Sequence, residues 1–191
     1  MNALLVSFVA VAIAEIGDKT QLLSLTLAAK YRRPWPICLG IFLATIANHA
    51  LAGGVGALLA HWISPRALQW AVVASFIGMS IWALIPDKAD DEAATKHSNH
   101  SLVIATIITF FLAEMGDKTQ LATVALAAQY RPLWQVVAGT TLGMMAANVP
   151  VVLLGARFAS HIPLRAARVT AALLFLGLGL WNLYGLLTTT A

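Results

Sequence analysis

Glu15, Asp18 and Lys19 stand together in "AEIGDKTQL" (14–22), and Glu114, Asp117 and Lys118 stand together in "AEMGDKTQL" (113–121). Both stretches interrupt runs that are otherwise almost wholly apolar. The chain has eight acidic residues: four lie in one polar stretch, as Asp87, Asp90, Asp91 and Glu92, and the other four are Glu15, Asp18, Glu114 and Asp117. Residues three apart on a helix share a face, so Glu15 with Asp18, and Glu114 with Asp117, each present paired carboxylates. Brought together, and joined by Thr20, Gln21, Thr119 and Gln120, they form an oxygen set suited to a hard divalent cation such as Ca²⁺ or Mn²⁺. Zn²⁺ and Cu⁺, which favour nitrogen and sulfur, are poorly served by it.

Charge suggests what such a set does. Four carboxylates and two ammonium groups sum to −2, which one divalent cation neutralises. Without the cation, like charges crowded in a low dielectric take up protons, so cation and protons compete for the same oxygens, which is the logic of an exchanger. If Lys19 and Lys118 instead reach out toward water, the sum is −4 and the stoichiometry changes. The competing structural reading is an ion-pair network, Glu15–Lys19 and Glu114–Lys118 at i,i+4, although hydrophobic packing joins helices without burying charge. Gly17 and Gly116 lie inside the two motifs, where glycine costs a helix about 1 kcal/mol. They either permit local unwinding that exposes carbonyls or let helices approach closely.

The elements that position these residues follow from composition. Of 191 residues 60% are hydrophobic and 10% charged, with mean hydropathy +0.81, whereas soluble domains carry about 25% charged residues. The pattern is that of an all-α integral membrane protein. Six stretches approach or exceed the ~20 residues a spanning helix needs, at about 3–29, 36–60, 67–86, 101–128, 134–156 and 167–187. The runs are continuous rather than alternating, which excludes barrel strands. The apolar N-terminal stretch resembles a signal-peptide core, but no basic residue precedes it and its sequel recurs inside a later segment, so it is read as a retained span. Trp35, Trp62, Trp134 and Trp181 near segment ends read as interfacial anchors.

Shifted by 99 residues, 14–40 aligns with 113–139 without a gap, and 15 of 27 positions are identical. Each half holds three spans, an odd number, so the second half enters the membrane the opposite way: two inverted three-helix repeats, 1–86 and 101–191, joined by a linker, 87–100. Sites in such repeats lie near the midplane at the repeat interface. The linker reads as a solvated cytoplasmic segment, with a metal-sensing loop built on Asp90, Asp91, Glu92, His97 and His100 as the rival. Gly40 and Ala44, and Gly139 and Gly143, are spaced for close helix contact. Between spans, one side receives Lys30, Arg32, Arg33, Lys88, Lys96, Arg157, Arg165 and Arg168, and the other only Arg66 and Arg131. By the positive-inside rule the linker is cytoplasmic and both termini lie outside. The basic balance thus reports topology and contact with the lipid bilayer, not nucleic acid. Lone Cys38 excludes an intramolecular disulfide, and no Cys/His ligand pattern is present.

The two Glu-x-Gly-Asp-Lys-Thr motifs, one per three-helix half with an acidic linker between, resemble those of the calcium/manganese:proton antiporter family of the LysE superfamily. That family includes Golgi manganese/calcium transporters and bacterial manganese exporters. The resemblance covers essentially the whole chain. It implies exchange of Mn²⁺ or Ca²⁺ against protons, with Glu15, Asp18, Glu114 and Asp117 as ligands and Lys19, Thr20, Lys118 and Thr119 completing the motifs. The metal is cargo and no cofactor is implied. Lacking the N-terminal extension of eukaryotic members, the chain better matches a bacterial inner-membrane protein, and a homo-oligomer is left open.

Asn48 and Asn148 fall one position out of register under the shift. Each offers an amide to the pathway or, more simply, joins helices. His49 has no histidine counterpart and reads as a hydrogen-bonded interior residue or a proton relay. A passive cation channel lined by the same acids, a metal-dependent hydrolase and an exporter of a small organic solute are the rival functions. The hydrolase lacks HExxH, GxSxG and any phosphate-cradling loop.

Overall fold

The computed structural model describes residues 2–85, 99–155 and 164–188. Among the described residues there are eight helices: α1 (Ala3–Glu15), α2 (Lys19–Tyr31), α3 (Pro34–Trp62), α4 (Pro65–Ala83), α5 (Asn99–Glu114), α6 (Lys118–Gln129), α7 (Leu133–Leu154) and α8 (Leu164–Thr188). Their ends follow local chemistry. Asn2 accepts the Leu4 N–H at 3.1 Å and so caps α1. Prolines Pro34 and Pro65 open α3 and α4, where a missing N–H costs nothing. The 86–98 stretch, and with it nearly all of the linker and both readings of it, lies outside the described residues.

The segments expected at 36–60, 67–86, 134–156 and 167–187 are α3, α4, α7 and α8. Those expected at 3–29 and 101–128 are each divided at the acidic motif, into α1 and α2 and into α5 and α6. Three helices are long and apolar enough to cross a membrane alone, Pro34–Trp62, Leu133–Leu154 and Arg168–Thr188, while Ala3–Glu15 and Leu102–Glu114 are shorter apolar helices.

Packing crosses between the halves. Helices α1 and α2 lie mainly on α7, and their counterparts α5 and α6 lie mainly on α3; α3 also meets α7, and α4 meets α8. Small residues make the crossings close. A methyl group at Gly40 would collide with Thr106 of α5, and one at Gly139 or Gly143 with the α1 backbone at Leu4 or Phe8. Between α4 and α8, Phe76 and Phe175 stack with ring centroids 6.3 Å apart. Outward faces are apolar: α3 exposes Leu39, Phe42, Leu43, Ile46, Leu51, Val55 and Leu58, a stripe far beyond the scattered apolar surface of a soluble monomer. Trp35, Trp62, Trp134 and Trp181 are all exposed. The acids of both motifs are buried, with Lys118, Thr20, Thr119, Gln21, Asn48 and Asn148.

Candidate functional site

Each break is made by a glycine. Gly17 has φ 81° and Gly116 φ 77°, a region that costs a residue with a side chain roughly 1–2 kcal/mol. A Cβ at Gly116 would meet nothing within 4 Å, so conformation rather than space requires glycine there. Of the two readings of these glycines, the structure supports unwinding. Glu15 and Glu114 end α1 and α5, and Lys19 and Lys118 begin α2 and α6. The motif glutamines clasp the breaks: the Gly17 N–H donates to Gln21 Oε1 at 2.9 Å, and the Gly116 N–H to Gln120 Oε1 at 2.7 Å. Asp18 and Asp117 occupy N-cap positions, yet neither side chain caps its helix.

The aspartates turn instead toward the opposite half. Lys118 Nζ lies 2.7 Å from Asp18 Oδ1, and Lys19 Nζ lies 3.7 Å from Asp117 Oδ1. These pairs join the two motifs, and among the described residues no i,i+4 salt bridge within a motif accompanies them. The break is the physical reason, because i,i+4 neighbours meet only on an unbroken helix. Neither lysine is lost to water: the Lys118 side chain is 4% exposed and the Lys19 side chain 25%.

The glutamates are placed differently. Both are buried. Glu15 Oε1 accepts from Asn148 Nδ2 at 3.3 Å, and Glu114 Oε2 accepts from the Thr119 hydroxyl at 2.7 Å. Glu15 Oε2 and Glu114 Oε1 have no hydrogen-bond partner among the described residues, an expensive condition for a buried carboxylate. Thr20 approaches Glu114 from the other half without closing a well-formed hydrogen bond. Glu15 lies within electrostatic reach of Glu114, Asp18 and Asp117, so all four acids share one polar interior. As they stand, no three of the His, Cys, Asp and Glu side chains among the described residues form a metal-ligating group. Two cross-paired aspartates flanked by two glutamates occupy the place of a preformed four-carboxylate cage.

The asparagines belong to this interior. Gln21 Nε2 donates to the Ala147 carbonyl at 3.1 Å, and Gln120 Nε2 to Asn48 Oδ1 at 2.9 Å. Positions 147 and 48 are equivalent under the 99-residue shift, so an amide oxygen in one half does what a backbone carbonyl does in the other. Asn148 also accepts from the Ser24 hydroxyl at 2.6 Å. Ser24 was missed by sequence reasoning, although a buried hydroxyl one turn beyond Thr20 and Gln21 was a readable signal. Arg168 of α8 was missed too, counted only as a flanking charge. It lines a crevice of about 10 Å³ with Ile16, Gly17, Asp18 and Lys118, room for no more than about one water. His49, expected to be hydrogen bonded, is fully buried with no partner for either ring nitrogen among the described residues.

Comparison with known proteins bears on this arrangement. The family described as "Divalent cation/proton antiporter GDT1" matches residues 3–91 and again residues 102–190. A protein of Vibrio cholerae named "Putative manganese exporter" is 54% identical over 177 residues, covering 92% of this chain and 88% of that one. A GDT1-like protein of Synechocystis is 28% identical over 195 residues, covering 92% and 93%. GDT1-like protein 3 of Arabidopsis thaliana is 25% identical over 202 residues, covering 92% and 68%. No solved structure matches the chain. The family is one of transporters rather than enzymes, and its match spans both halves and both helix breaks. The chain belongs to the divalent cation/proton antiporter family and is a multi-pass membrane transport protein.

Proposed function

We propose that the protein is a secondary transporter that exports Mn²⁺, with Ca²⁺ as the alternative cargo, in exchange for protons, and that Glu15, Asp18, Glu114 and Asp117 are the ligands. One observation carries this reading: two broken helices, one from each half, bring four buried acids together with the buried Lys118 and the partly exposed Lys19. Helices broken at a midplane site are a recurring device of secondary transporters. The four acids and two lysines of the motifs sum to −2, which one divalent cation or two protons balance; Arg168, in the crevice beside Asp18 and Lys118, adds one positive charge at the edge of the set. Glu15 Oε2 and Glu114 Oε1 have no hydrogen-bond partner among the described residues, and they receive the cation first. The lysines, each held by the aspartate of the opposite half, are displaced as the aspartates close on the ion. Thr20, Thr119, Gln21, Gln120, Asn48 and Asn148 supply or hold neutral oxygens around it.

The same reading sets the protein in the bacterial inner membrane as six spans, α1–α2, α3, α4, α5–α6, α7 and α8, in two inverted repeats, 1–86 and 101–191. Helix α1, 13 residues long, is too short to cross alone given the ~20 residues required, so it crosses only with α2. The charge asymmetry between connections supports cytoplasmic placement of 87–100 and external termini. A passive channel is the competing mechanism. The discriminating experiment is flux into proteoliposomes. Mn²⁺ uptake that requires and dissipates an imposed pH gradient supports exchange, whereas uptake indifferent to the gradient supports the channel.

A further inference from the structure

The two halves differ at one position beside the glutamates. Under the 99-residue shift, His49 of α3 stands where Asn148 of α7 stands. Asn148 is fully engaged: its amide nitrogen donates to Glu15 Oε1 at 3.3 Å and to the Met144 carbonyl at 3.2 Å, and its oxygen accepts from Ser24 at 2.6 Å. The counterpart of Ser24 is Thr123, whose hydroxyl donates to the Thr119 carbonyl at 2.8 Å instead. His49 is therefore left, among the described residues, with two unpartnered nitrogens at 0% exposure. The counterpart of the carboxylate that Asn148 contacts is Glu114, and Glu114 Oε1 is itself unpartnered. The preceding residue fixes the locality: Asn48 donates to the Phe111 carbonyl at 3.4 Å and accepts from Gln120 at 2.9 Å, and these two partners flank Glu114 in sequence.

A buried polar group without a partner is costly, and the 99-residue shift sets His49 against Glu114 as Asn148 is set against Glu15. A cation between His49 and Glu114 satisfies both. We infer that His49 is a specificity-determining ligand that gives the transported ion one imidazole nitrogen beside the Glu114 carboxylate. Ca²⁺ takes oxygen ligands almost exclusively; Mn²⁺ shares the preference for carboxylate and carbonyl oxygen but, as a first-row transition ion, also accepts an imidazole in its shell. One nitrogen among hard oxygens therefore tilts the site toward Mn²⁺ over Ca²⁺. A single nitrogen also falls short of the nitrogen- and sulfur-rich sets that hold Zn²⁺. The assignment rests on the cation reading of the carboxylate interior.

Pulsed electron paramagnetic resonance of purified protein loaded with Mn²⁺ tests it, since a directly bound imidazole imprints a ¹⁴N modulation on the metal signal. Wild type is expected to show that modulation and His49→Asn to lack it. His49→Asn installs the side chain that the other half already accommodates. In titrations with each metal, this variant is expected to bind Mn²⁺ about 10-fold or more weakly, the scale of change seen when a metal site loses even a supporting contact, with Ca²⁺ affinity unchanged. Mn²⁺ bound without ¹⁴N modulation in the wild type, or Mn²⁺ and Ca²⁺ affinities falling equally in the variant, would overturn the role of His49 while leaving the carboxylate site intact. Failure of the wild type to bind Mn²⁺ at all would instead remove the cation reading on which the role rests.

Discussion

Glu15 and Glu114 differ from Asp18 and Asp117 in what already occupies their oxygens. Each aspartate has a lysine of the opposite half within 3.7 Å or less, while each glutamate keeps one buried oxygen unpartnered. Glu15→Gln and Glu114→Gln are therefore expected to lower Mn²⁺ transport by more than about 100-fold, the upper range for groups that only support a metal ligand, at normal membrane abundance. Asp18→Glu and Asp117→Glu, which keep the charge, are expected to reduce transport less completely. Transport assays in vesicles matched for protein content check both, and wild-type rates in either Gln variant contradict the assignment. The cross-half ion pairs give a second test. Asp18→Asn and Lys118→Met should each lower Tm, and the double variant should fall short of their sum by a coupling of about 1–3 kcal/mol. The pair Lys118 and Glu114 should couple less. These residues were legible in the sequence because a charge in a bilayer costs about 3 kcal/mol or more and does not persist there idly. Their partners were not legible, because i,i+4 reasoning presupposes a helix that the glycines interrupt.

Gly17 and Gly116 account for what the sequence could not say about the elements. Apolar continuity predicts one long span through each motif, and a lone glycine costs a helix only about 1 kcal/mol, too little to announce a break. The break itself is visible in the positive φ values. Replacing Gly116 by Ala should destabilise the fold by about 1–2 kcal/mol and reduce transport. Gly116→Asn, a residue more at ease at positive φ, should be milder, although nothing crowds either side chain. If thermal unfolding and transport rank Ala above Asn, the conformational account of the break is wrong. By contrast, the starts of α3 and α4 carry a local signal in Pro34 and Pro65, within two residues of the spans expected from apolar content. The close crossings were readable from Gly40, Gly139 and Gly143, whose small size makes sense against a closely approaching helix.

At the scale of the whole molecule, the duplicated motif and the reciprocal packing of α1–α2 on α7 and α5–α6 on α3 support two halves built to share one interior. The expected orientation rests on loop charges alone, since helix packing carries no sign for inside or outside. In a Cys38→Ala background, Arg33→Cys should be labelled from the cytoplasm and Arg131→Cys from outside, although both follow the second helix of their half. Labelling of both from one side would break the inverted arrangement. Exchange also has a pH signature. If protons and Mn²⁺ compete for carboxylates crowded in a low dielectric, Mn²⁺ affinity should weaken between about pH 8 and pH 6, where solvated Asp and Glu do not titrate. The most direct test of exchange at these four acids is calorimetry of Mn²⁺ binding in two buffers of different ionisation enthalpy at pH 7, which counts the protons released. The account predicts a positive count in the wild type that disappears in the Glu15→Gln, Glu114→Gln double variant; Mn²⁺ binding with no proton release, and affinity flat from pH 8 to pH 6, would contradict it.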